Sequence, residues 1–476
     1  MLSILISTAN ESKTNNGVFE GWGTSLCWWA NRVGHSEKLT QDSARLFFSE
    51  EGLGLNIMRY NIGGGDDPTH DHIRRTDSEM PGWWKYDKNE DRFVFNSDTD
   101  HSQLNVLLSS YKAAGKEAFV EAFSNSPPYY MTESGCTSGN TPAARDNLKA
   151  SCIDDFAQYL AEACQYINNT LNIKIKSLAA MNEPFSNYWH KDSPKQEGCF
   201  ISPGKMQSDI LISVSDALHR YELDDIILTA SDETNCMLQY ISIKMLSEEA
   251  LSRVSRISTH TYAKALPHIG ELSRKLSKNI WMDETDWSGV AGEDSGEMGP
   301  ALWLSEKIIE DINTLSPSAW VIWQIVASYI STVPDSKGRL DMPAVPDLTQ
   351  GFWGTAFADI DNEAIILTQK YYAFGQFSKF IRPGMTVIHT DNNRFLAAYD
   401  KKSGKTVIVA VNDKNQEENV SFSFNGIDTE NKTVRSVRTS GDKIFGEHWN
   451  ELPQFYINGN FNISLTANSI TTFIIE

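Results

Sequence analysis

The chain has 476 residues, which is enough for a large buried core and for more than one domain. Its 42 Lys and Arg residues are outnumbered by 62 Asp and Glu residues, so the net charge is −20. This balance argues against sequence-independent binding to nucleic acid or to an anionic membrane, because both depend on an excess of Lys and Arg.

The chain begins with a short apolar run, Leu2–Ile6, which no basic residue precedes. This pattern predicts neither a signal peptide nor a membrane helix. No later stretch reaches the roughly 18 apolar residues that a membrane span requires. We expect a cytoplasmic protein, or a secreted one whose export signal is absent from this sequence. The sequence does not indicate an oligomeric state.

The eight runs that follow are predicted strands, because each is short, apolar and rich in β-forming residues. In chain order they are Val18–Leu26, Leu55–Asn61, Glu117–Phe123, Ile175–Met181, Asp225–Ser231, Val254–Tyr262, Asn279–Glu284 and Trp320–Ile325. Several are separated by segments of helical period, namely Ser151–Asn168, Pro203–Tyr221 and Gly299–Leu315. This alternation predicts an α/β fold, a (β/α)8 TIM barrel, with a doubly wound sheet as the alternative.

The pattern changes near Tyr371, where helical periodicity gives way to short alternating strands. These are Phe395–Tyr399, Lys405–Val411, Val420–Phe424, Thr433–Thr439, Phe455–Ile457 and Ser469–Ile475. They predict a C-terminal β-sandwich side domain over residues 373–476, after a barrel over residues 16–372. Residues 1–15 contain a strand-like run, Leu2–Ser7, which is expected to join that sandwich. Since no Pro/Gly/Ser linker separates the two modules, we expect them to pack together.

The six cysteines give no metal-binding or redox motif. Cys27, Cys136, Cys152, Cys164, Cys199 and Cys236 form no CxxC pair, and no Cys/His cluster has zinc spacing. Reduced structural thiols are the favoured interpretation, and a pair such as Cys136 with Cys199 is the alternative. No metal site is expected.

Two carboxylates lie at the ends of predicted strands, where a (β/α)8 barrel carries its catalytic residues. The fourth predicted strand ends in Asn182-Glu183-Pro184 and the seventh in Asp283-Glu284. Catalytic groups of such barrels lie at the carboxyl ends of strands, and two carboxylates flanking one bond are what glycosidic cleavage requires. Taken alone, Asn182 with Pro184 is equally typical of a helix start. The partner Glu284 makes the catalytic interpretation the stronger one.

Longer motifs resemble glycoside hydrolase family 30, a family of retaining (β/α)8 glycosidases that carry a side β-sandwich. The resemblance covers nearly the whole chain. The motifs that carry it are Gly21–Ser25, Trp28–Ala30, Met58–Gly65 and Ser126–Met131, together with Asn182, Glu183 and Glu284. Within the family, the Trp-rich first strand most resembles the β-1,6-galactanase branch. The resemblance implies that Glu183 is the general acid/base and Glu284 the nucleophile. No cofactor is implied, because two carboxylates suffice for this reaction.

The same comparison suggests binding roles for residues at the strand ends. Arg59 is expected to hold the nucleophile, Tyr262 to donate its hydroxyl to Glu284, Asn182 to bond the sugar 2-hydroxyl and Trp323 to stack under the sugar. Sugar contacts are also predicted for His260, Asp66, Asp67, Glu233 and one of Trp28 and Trp29. For each, a structural role in the barrel is the alternative.

The choice of nucleophile is open on the residues alone, because Asp283 and Asp286 flank Glu284. Strand alternation predicts that Asp283 and Glu284 face opposite sides, so that only one of them reaches the barrel axis. The family pattern selects Glu284. Two loops are long enough to close the cleft, Phe185–Phe200 with Trp189 and Asp286–Gly299 with Trp287.

The leading hypothesis is a retaining glycosidase that cleaves β-1,6-linked galactan of the kind found as arabinogalactan side chains. Its partner would be a β-linked neutral polysaccharide or oligosaccharide, in keeping with an acidic protein. The alternatives are a β-1,6-glucanase, a glucosylceramidase-like enzyme and a non-catalytic carbohydrate-binding protein on the same fold. A metal-dependent hydrolase is the least favoured, because it needs a set of His and Asp ligands at strand ends. Endo and exo action are not distinguished.

Overall fold

The computed structural model describes residues 1–287, 297–342, 353–442 and 444–476. Its strands, in chain order, are β1 Leu2–Ser7, β2 Gly21–Ser25, β3 Ile57–Asn61, β4 Trp84–Asp87, β5 Arg92–Phe95, β6 Phe119–Phe123, β7 Ile175–Ala179, β8 Ile227–Glu233, β9 Val254–His260, β10 Asn279–Glu284, β11 Ala319–Gln324, β12 Val326–Ile330, β13 Ala356–Asp359, β14 Ala364–Leu367, β15 Thr386–Ile388, β16 Phe395–Tyr399, β17 Thr406–Asn412, β18 Glu418–Asn425, β19 Lys432–Ser440, β20 Glu447–Ile457, β21 Phe461–Leu465 and β22 Ser469–Ile475. The α-helices are α1 Trp29–Val33, α2 Glu37–Ser43, α3 His101–Ala114, α4 Ile153–Asn169, α5 Lys205–Arg220, α6 Cys236–Met245, α7 Glu248–Arg253, α8 Pro267–Lys275, α9 Met298–Leu315 and α10 Gln369–Ser378.

Eight parallel strands close into a barrel in the order β2-β3-β6-β7-β8-β9-β10-β11, with β11 returning to β2. These are the eight strands that the sequence predicts, and the three predicted helices correspond to α4, α5 and α9. The (β/α)8 barrel is therefore confirmed and the doubly wound sheet is excluded. Helices such as α4 pack an apolar face that includes Phe156, Leu160 and Ile167 into the main core.

The barrel interior is layered. Near the amino ends of the strands, buried apolar side chains fill it, including Ile57, Trp281 and Val321. Toward the carboxyl ends the interior contains charged side chains instead, and Arg59 and Arg256 both donate hydrogen bonds to Glu121. Buried charges are stable only when they are paired and hydrogen-bonded, so this layer is a rigid platform beneath the mouth of the barrel.

The C-terminal module is a β-sandwich. One sheet has six strands in the order β15-β16-β17-β22-β19-β20, and the other has three in the order β1-β18-β21. The N-terminal strand β1 pairs in parallel with β18, as predicted. Apolar residues of both sheets, among them Ile6, Phe422 and Phe473, share one buried cluster.

The two modules share a hydrophobic core, as expected for packed modules. Trp22 of the first barrel strand contacts Phe374 and Phe377 of α10 at ring-centroid distances of 6.0 and 6.1 Å. Helicity therefore continues beyond Tyr371, where the sequence pattern suggested that it stopped, and residues 372 and 373 lie inside α10. The sequence interpretation also missed the hairpin β4-β5, the sheet β12-β13-β14 and the strands β15 and β21. In the described part of the chain, no helix is long and apolar enough to cross a membrane.

Candidate active site

A cavity of about 1120 Å³ opens at the carboxyl ends of the barrel strands. Its lining includes both predicted catalytic carboxylates, Glu183 and Glu284. One oxygen of each lies within 4.8 Å of the other. Retaining glycosidases hold their two carboxyl groups about 5–5.5 Å apart, whereas inverting ones need roughly 6.5–9.5 Å. The separation therefore fits a double displacement.

Glu183 is held from three sides. Its backbone occupies the left-handed region at φ 47°, and its N–H donates a 2.8 Å bond to the carbonyl of Asp232. Oε2 accepts a hydrogen bond from the hydroxyl of Tyr188, while Oε1 lies 3.2 Å from Nδ1 of His260. A left-handed non-glycine residue costs about 1–3 kcal/mol, so the surrounding contacts must impose this orientation.

Glu284 sits opposite in a ring of donors. Nη1 of Arg59 donates to its Oε2 at 2.9 Å, and the hydroxyl of Tyr262 donates to its Oε1 at 2.9 Å. Burial raises the pKa of Glu284 to about 7, an effect that His260 and Arg59 oppose and the negative charge of Glu183 reinforces. The two donors predicted for this carboxylate, Arg59 and Tyr262, are therefore both at hydrogen-bond distance.

His260 links the two carboxylates from within the barrel. Its Nδ1 lies 3.2 Å from Glu183 and 3.5 Å from Glu284, and its Nε2 lies 3.0 Å from Oδ1 of Asp232. Burial alone lowers the pKa of His260, but the charges of Glu284 and Asp232 outweigh it and raise that pKa well above its ordinary value. His260 is thus a buried cation between acids, with both ring nitrogens directed at carboxylates.

A family model described as O-glycosyl hydrolase family 30 matches residues 1–269, more than half of the chain. The chain belongs to glycoside hydrolase family 30. It is 27% identical to an endo-beta-1,6-galactanase of Hypocrea rufa over 97% of this chain and 92% of that protein. It is 24% identical to an exo-beta-1,6-galactobiohydrolase of Bifidobacterium longum subsp. longum over 75% of this chain, which corresponds to 29% of that longer protein. The catalytic domain of a family 30 xylanase C from Talaromyces cellulolyticus has the same fold, with a TM-score of 0.72, 18% identity and full coverage of both chains.

Membership of family 30 identifies the protein as a glycoside hydrolase.

Three acids near the end of the seventh barrel strand are possible nucleophiles, and the structure gives them different surroundings. Glu284 lines the cavity, whereas Asp283 is fully buried and does not. Burial raises the pKa of Asp283. Asp286 is also buried, 2.8 Å from Nζ of Lys370.

Asp283 and Glu284 do not follow simple strand alternation. The pairing of β10 with β9 shifts register between Met282 and Glu284. Such a bulge interrupts the two-residue alternation on which the prediction of opposite sides rests. Of these two carboxylates, Glu284 lines the cavity and Asp283, which is fully buried, does not.

Asn182 and two aromatic residues complete the side of the cavity predicted to bind sugar. Asn182 is 4% exposed, and its Oδ1 has no hydrogen-bond partner within the described parts of the chain. Trp28 and Trp323 line the cavity edge-to-face at 5.1 Å. Trp29 is turned into the core instead, against Phe47, so one of the two adjacent tryptophans faces the site, as expected.

Four residues predicted to contact sugar do not line this cavity in the described structure, namely His260, Glu233, Asp66 and Asp67. His260 contacts the two catalytic carboxylates instead. The carboxylate of Glu233 is fully buried and accepts bonds from Gln207, Ser242 and the N–H of Phe185. Asp67 caps a turn at Thr69. Asp66 faces His70 and His72 of its own loop, after β3, and Cys136 of the loop after β6.

Several functional residues were missed by the sequence interpretation. Tyr188 binds Glu183, and Trp353 lies 5.8 Å from the ring of Tyr262. Asp232 was not missed, because it forms with Glu233 a carboxylate pair at the end of the fifth predicted strand, but its bond to Arg59 at 2.6 Å was not foreseen. Tyr188 comes five residues after Glu183 in a loop that was flagged for Trp189 instead. The indole of Trp189 donates to the carbonyl of Glu183 at 3.1 Å, which anchors that loop.

The second predicted cleft loop, Asp286–Gly299, is only partly described. Residues 288–296 lie outside the described residues. Trp287 is 52% exposed and packs against Trp303 at 5.9 Å. The six cysteines are unpaired, including Cys136 and Cys199, so the alternative disulfide is not present.

Proposed function

We propose that this enzyme hydrolyses β-1,6-linked galactan with retention of configuration, using Glu183 as acid/base and Glu284 as nucleophile. The observation that carries the proposal is the pair of carboxylates within 4.8 Å in one cavity, each with its own donors. Tyr188 and His260 face Glu183, whereas Arg59 and Tyr262 face Glu284.

In the first step, Glu284 attacks the anomeric carbon while Glu183 gives its proton to the departing glycosidic oxygen. The bond to the leaving sugar breaks and an ester forms between the glycosyl unit and Glu284. Arg59 holds the attacking carboxylate in its anionic form through a 2.9 Å bond. Positioned, charge-assisted donors of this kind lower the barrier because they need no reorganisation during the reaction.

In the second step, Glu183, now a carboxylate, takes a proton from water, and the resulting hydroxide attacks the same carbon. Glu284 leaves and is regenerated, as is the proton on Glu183. Two inversions at one centre give net retention. His260 lies within 3.5 Å of both carboxylates and is cationic, so it can compensate negative charge on either of them during the cycle.

The substrate assignment has two supports. The relatives from Hypocrea rufa and Bifidobacterium longum are both named for β-1,6-galactan substrates, one as an endo- and one as an exo-acting enzyme. The cavity also offers aromatic faces and an unbonded amide oxygen, on Asn182, which suit neutral sugar hydroxyls. The cavity-lining Arg75 is already neutralised by two 2.8 Å bonds to Asp77.

The test is a product analysis on de-arabinosylated arabinogalactan, run beside β-1,6-glucan and glucuronoxylan, with Glu284→Gln as the inactive control. We expect galactose-containing products from the first substrate alone. A ladder of lengths would indicate endo cutting, and a single short product would indicate exo cutting.

Cleavage of β-1,6-glucan or glucuronoxylan with silence on galactan would overturn the substrate and keep the two-carboxylate reaction. Silence on all three, combined with measurable affinity for one glycan, would favour the alternative of a carbohydrate-binding protein. Proton NMR of the first anomer released checks the stereochemistry, and an initial α-product would contradict retention.

A further inference from the structure

A second polar cluster lies in the loops after β3 and β6, apart from the catalytic carboxylates. It is formed by Asp66, His70, His72 and Cys136, which offer one carboxylate oxygen, two ring nitrogens and one sulfur. These atoms all lie within 4.8 Å of one another. We propose that this cluster binds a Zn²⁺ ion that ties the two loops together.

The spacing of the donor atoms fits a tetrahedral ion. Nδ1 of His70 lies 3.2 Å from Oδ1 of Asp66, Nε2 of His72 lies 3.5 Å from Oδ2 of Asp66, and Sγ of Cys136 lies 3.7 Å from Nε2 of His72. Zinc bonds of about 2.0–2.3 Å in a tetrahedron place neighbouring ligand atoms roughly 3.3–3.6 Å apart. These three contacts lie within about 0.1 Å of that range, and a tetrahedral ion would use one of the two Asp66 oxygens.

An orphaned oxygen points independently to a cation. The side chain of Asp66 is 10% exposed, and its Oδ2 makes no hydrogen bond to any described residue. A buried carboxylate oxygen without a donor is costly, because the lost hydration is not replaced. A cation shared with the neighbouring imidazoles and thiol would supply the missing interaction.

The local backbone presents the ligands correctly. His70 and His72 are two residues apart in an irregular loop, and a ring nitrogen of each lies within 3.5 Å of the carboxylate of Asp66. Asp71 between them points away, with 69% of its side chain exposed. Sγ of Cys136 is buried, and the N–H of Thr137 donates a 3.3 Å bond to Oδ1 of Asp66, which orients that carboxylate.

The donor types select the metal. A thiolate with two imidazoles and one carboxylate suits zinc, whereas calcium and magnesium prefer an all-oxygen shell. The thiol of Cys136 loses its proton to solvent when the ion binds. The ion would act structurally, because all four positions of the tetrahedron are filled by protein and none remains for a reacting water.

The site would stiffen one wall of the substrate cavity. The chain that follows His72 carries Arg74 and Arg75, both of which line the cavity. The carbonyl of Thr137, next to Cys136, accepts a 2.8 Å bond from Gly198 in the loop that also holds Trp189. A metal at this point would therefore connect three loops around the cavity without touching Glu183 or Glu284.

The experiment measures metal directly. The full chain is purified without chelator, its zinc content is determined by mass spectrometry, and the zinc-free protein is titrated with Co²⁺. We expect about one zinc per chain and, with cobalt, visible bands of a tetrahedral site plus a thiolate-to-cobalt charge-transfer band. Cys136→Ser should abolish the charge-transfer band. The matched control Cys152→Ser should keep it, because that half-buried thiol lies outside the cluster, just before α4.

A second variant protects the test against misfolding. His70→Ala removes a ligand whose side chain is 26% exposed, so the fold should survive while zinc content falls at least tenfold. Zinc should raise the Tm of wild-type protein by a few degrees and leave that of His70→Ala unchanged. The proposal is overturned if folded wild-type protein takes up neither zinc nor cobalt, or if both variants bind the metal as wild type does.

Discussion

Nη1 of Arg59 donates a 2.9 Å hydrogen bond to Oε2 of Glu284, although the two residues are 225 positions apart in the chain. Both side chains are buried, and the same guanidinium reaches Asp232 at 2.6 Å. Burial alone lowers the pKa of Arg59, but the surrounding carboxylates outweigh this and raise it. A permanent positive charge therefore lies beneath Glu284, which favours the anionic form that attacks the sugar.

The loss of activity on replacing the acid Glu183 should depend on the leaving group of the substrate. Glu183→Gln removes the proton donor, so hydrolysis of galactan should fall by about 10²–10⁴-fold. Aryl galactosides with acidic phenols need no proton, so their first step should keep near wild-type rates. Burst kinetics of phenol release measure this difference. Equal losses on both substrates would assign Glu183 another role.

The same substitution should leave the acid limb of the pH profile in place. Burial raises the pKa of Glu284 above its ordinary value of 4.5, so wild-type kcat/KM should fall on acidification at a pH above that value. On this limb Glu183 still carries the proton that it gives to the leaving group, and Gln is neutral like that protonated acid.

The measurement is kcat/KM for an activated aryl galactoside against pH. Glu271→Gln, an exposed change of the same kind on α8, is the control and should leave the acid limb in place. An acid limb that shifts to lower pH in Glu183→Gln would show that Glu183 is negatively charged when Glu284 takes up its proton, which contradicts its role as the acid.

Glu284 and Asp283 form a matched pair for identifying the nucleophile. Glu284→Gln should abolish turnover of both natural and activated substrates, because no ester can form. Asp283→Asn should retain turnover, since Asp283 does not line the cavity and burial favours its neutral form. Trapping with a slowly hydrolysed fluorosugar and peptide mass analysis should place the glycosyl group on Glu284. A label on Asp283 would reverse the assignment.

Asp286 should matter for stability and not for chemistry. Its carboxylate accepts hydrogen bonds from Nζ of Lys370, at 2.8 Å, and from the N–H of Gly354. Asp286→Asn removes the carboxylate charge facing Lys370 in a buried site, a change that costs about 3–5 kcal/mol. Urea unfolding should show this loss, and Asp283→Asn should show a smaller one. An equal loss in both variants would mean that the ion pair contributes little.

Strand periodicity was sufficient to find the barrel but not every element around it. All eight barrel strands were predicted because each is a short apolar run of β-forming residues, and helical periodicity separates several of them. The helix α10 was missed because nearly all of its residues are buried, so it lacks the polar face that makes a helical period visible. The exposed half of β20, Glu447–Ile457, lacks the apolar alternation that marks a strand in sequence.

The residues of the candidate site were likewise predicted only in part from the sequence. Glu183, Glu284, Arg59, Tyr262 and Asn182 were placed by the rule that barrel chemistry gathers at strand ends, together with family resemblance. Glu233 was not distinguished from Asp232, because the register of β8 against β9 shifts between Ser231 and Glu233 and the shift leaves no trace in sequence. Asp232 takes the position beside Arg59 instead.

The sequence by itself determined the barrel, the side sandwich and the two glutamates, since these follow from local periodicity and from motifs contiguous in the chain. Only the tertiary structure decided that Tyr188 reaches Glu183, that Glu284 and not Asp283 lines the cavity, and that Cys136 meets His72, 64 residues away. The physical reason is that bulges and long loops set side-chain direction through non-local packing. Such packing is not encoded in the spacing of neighbouring residues.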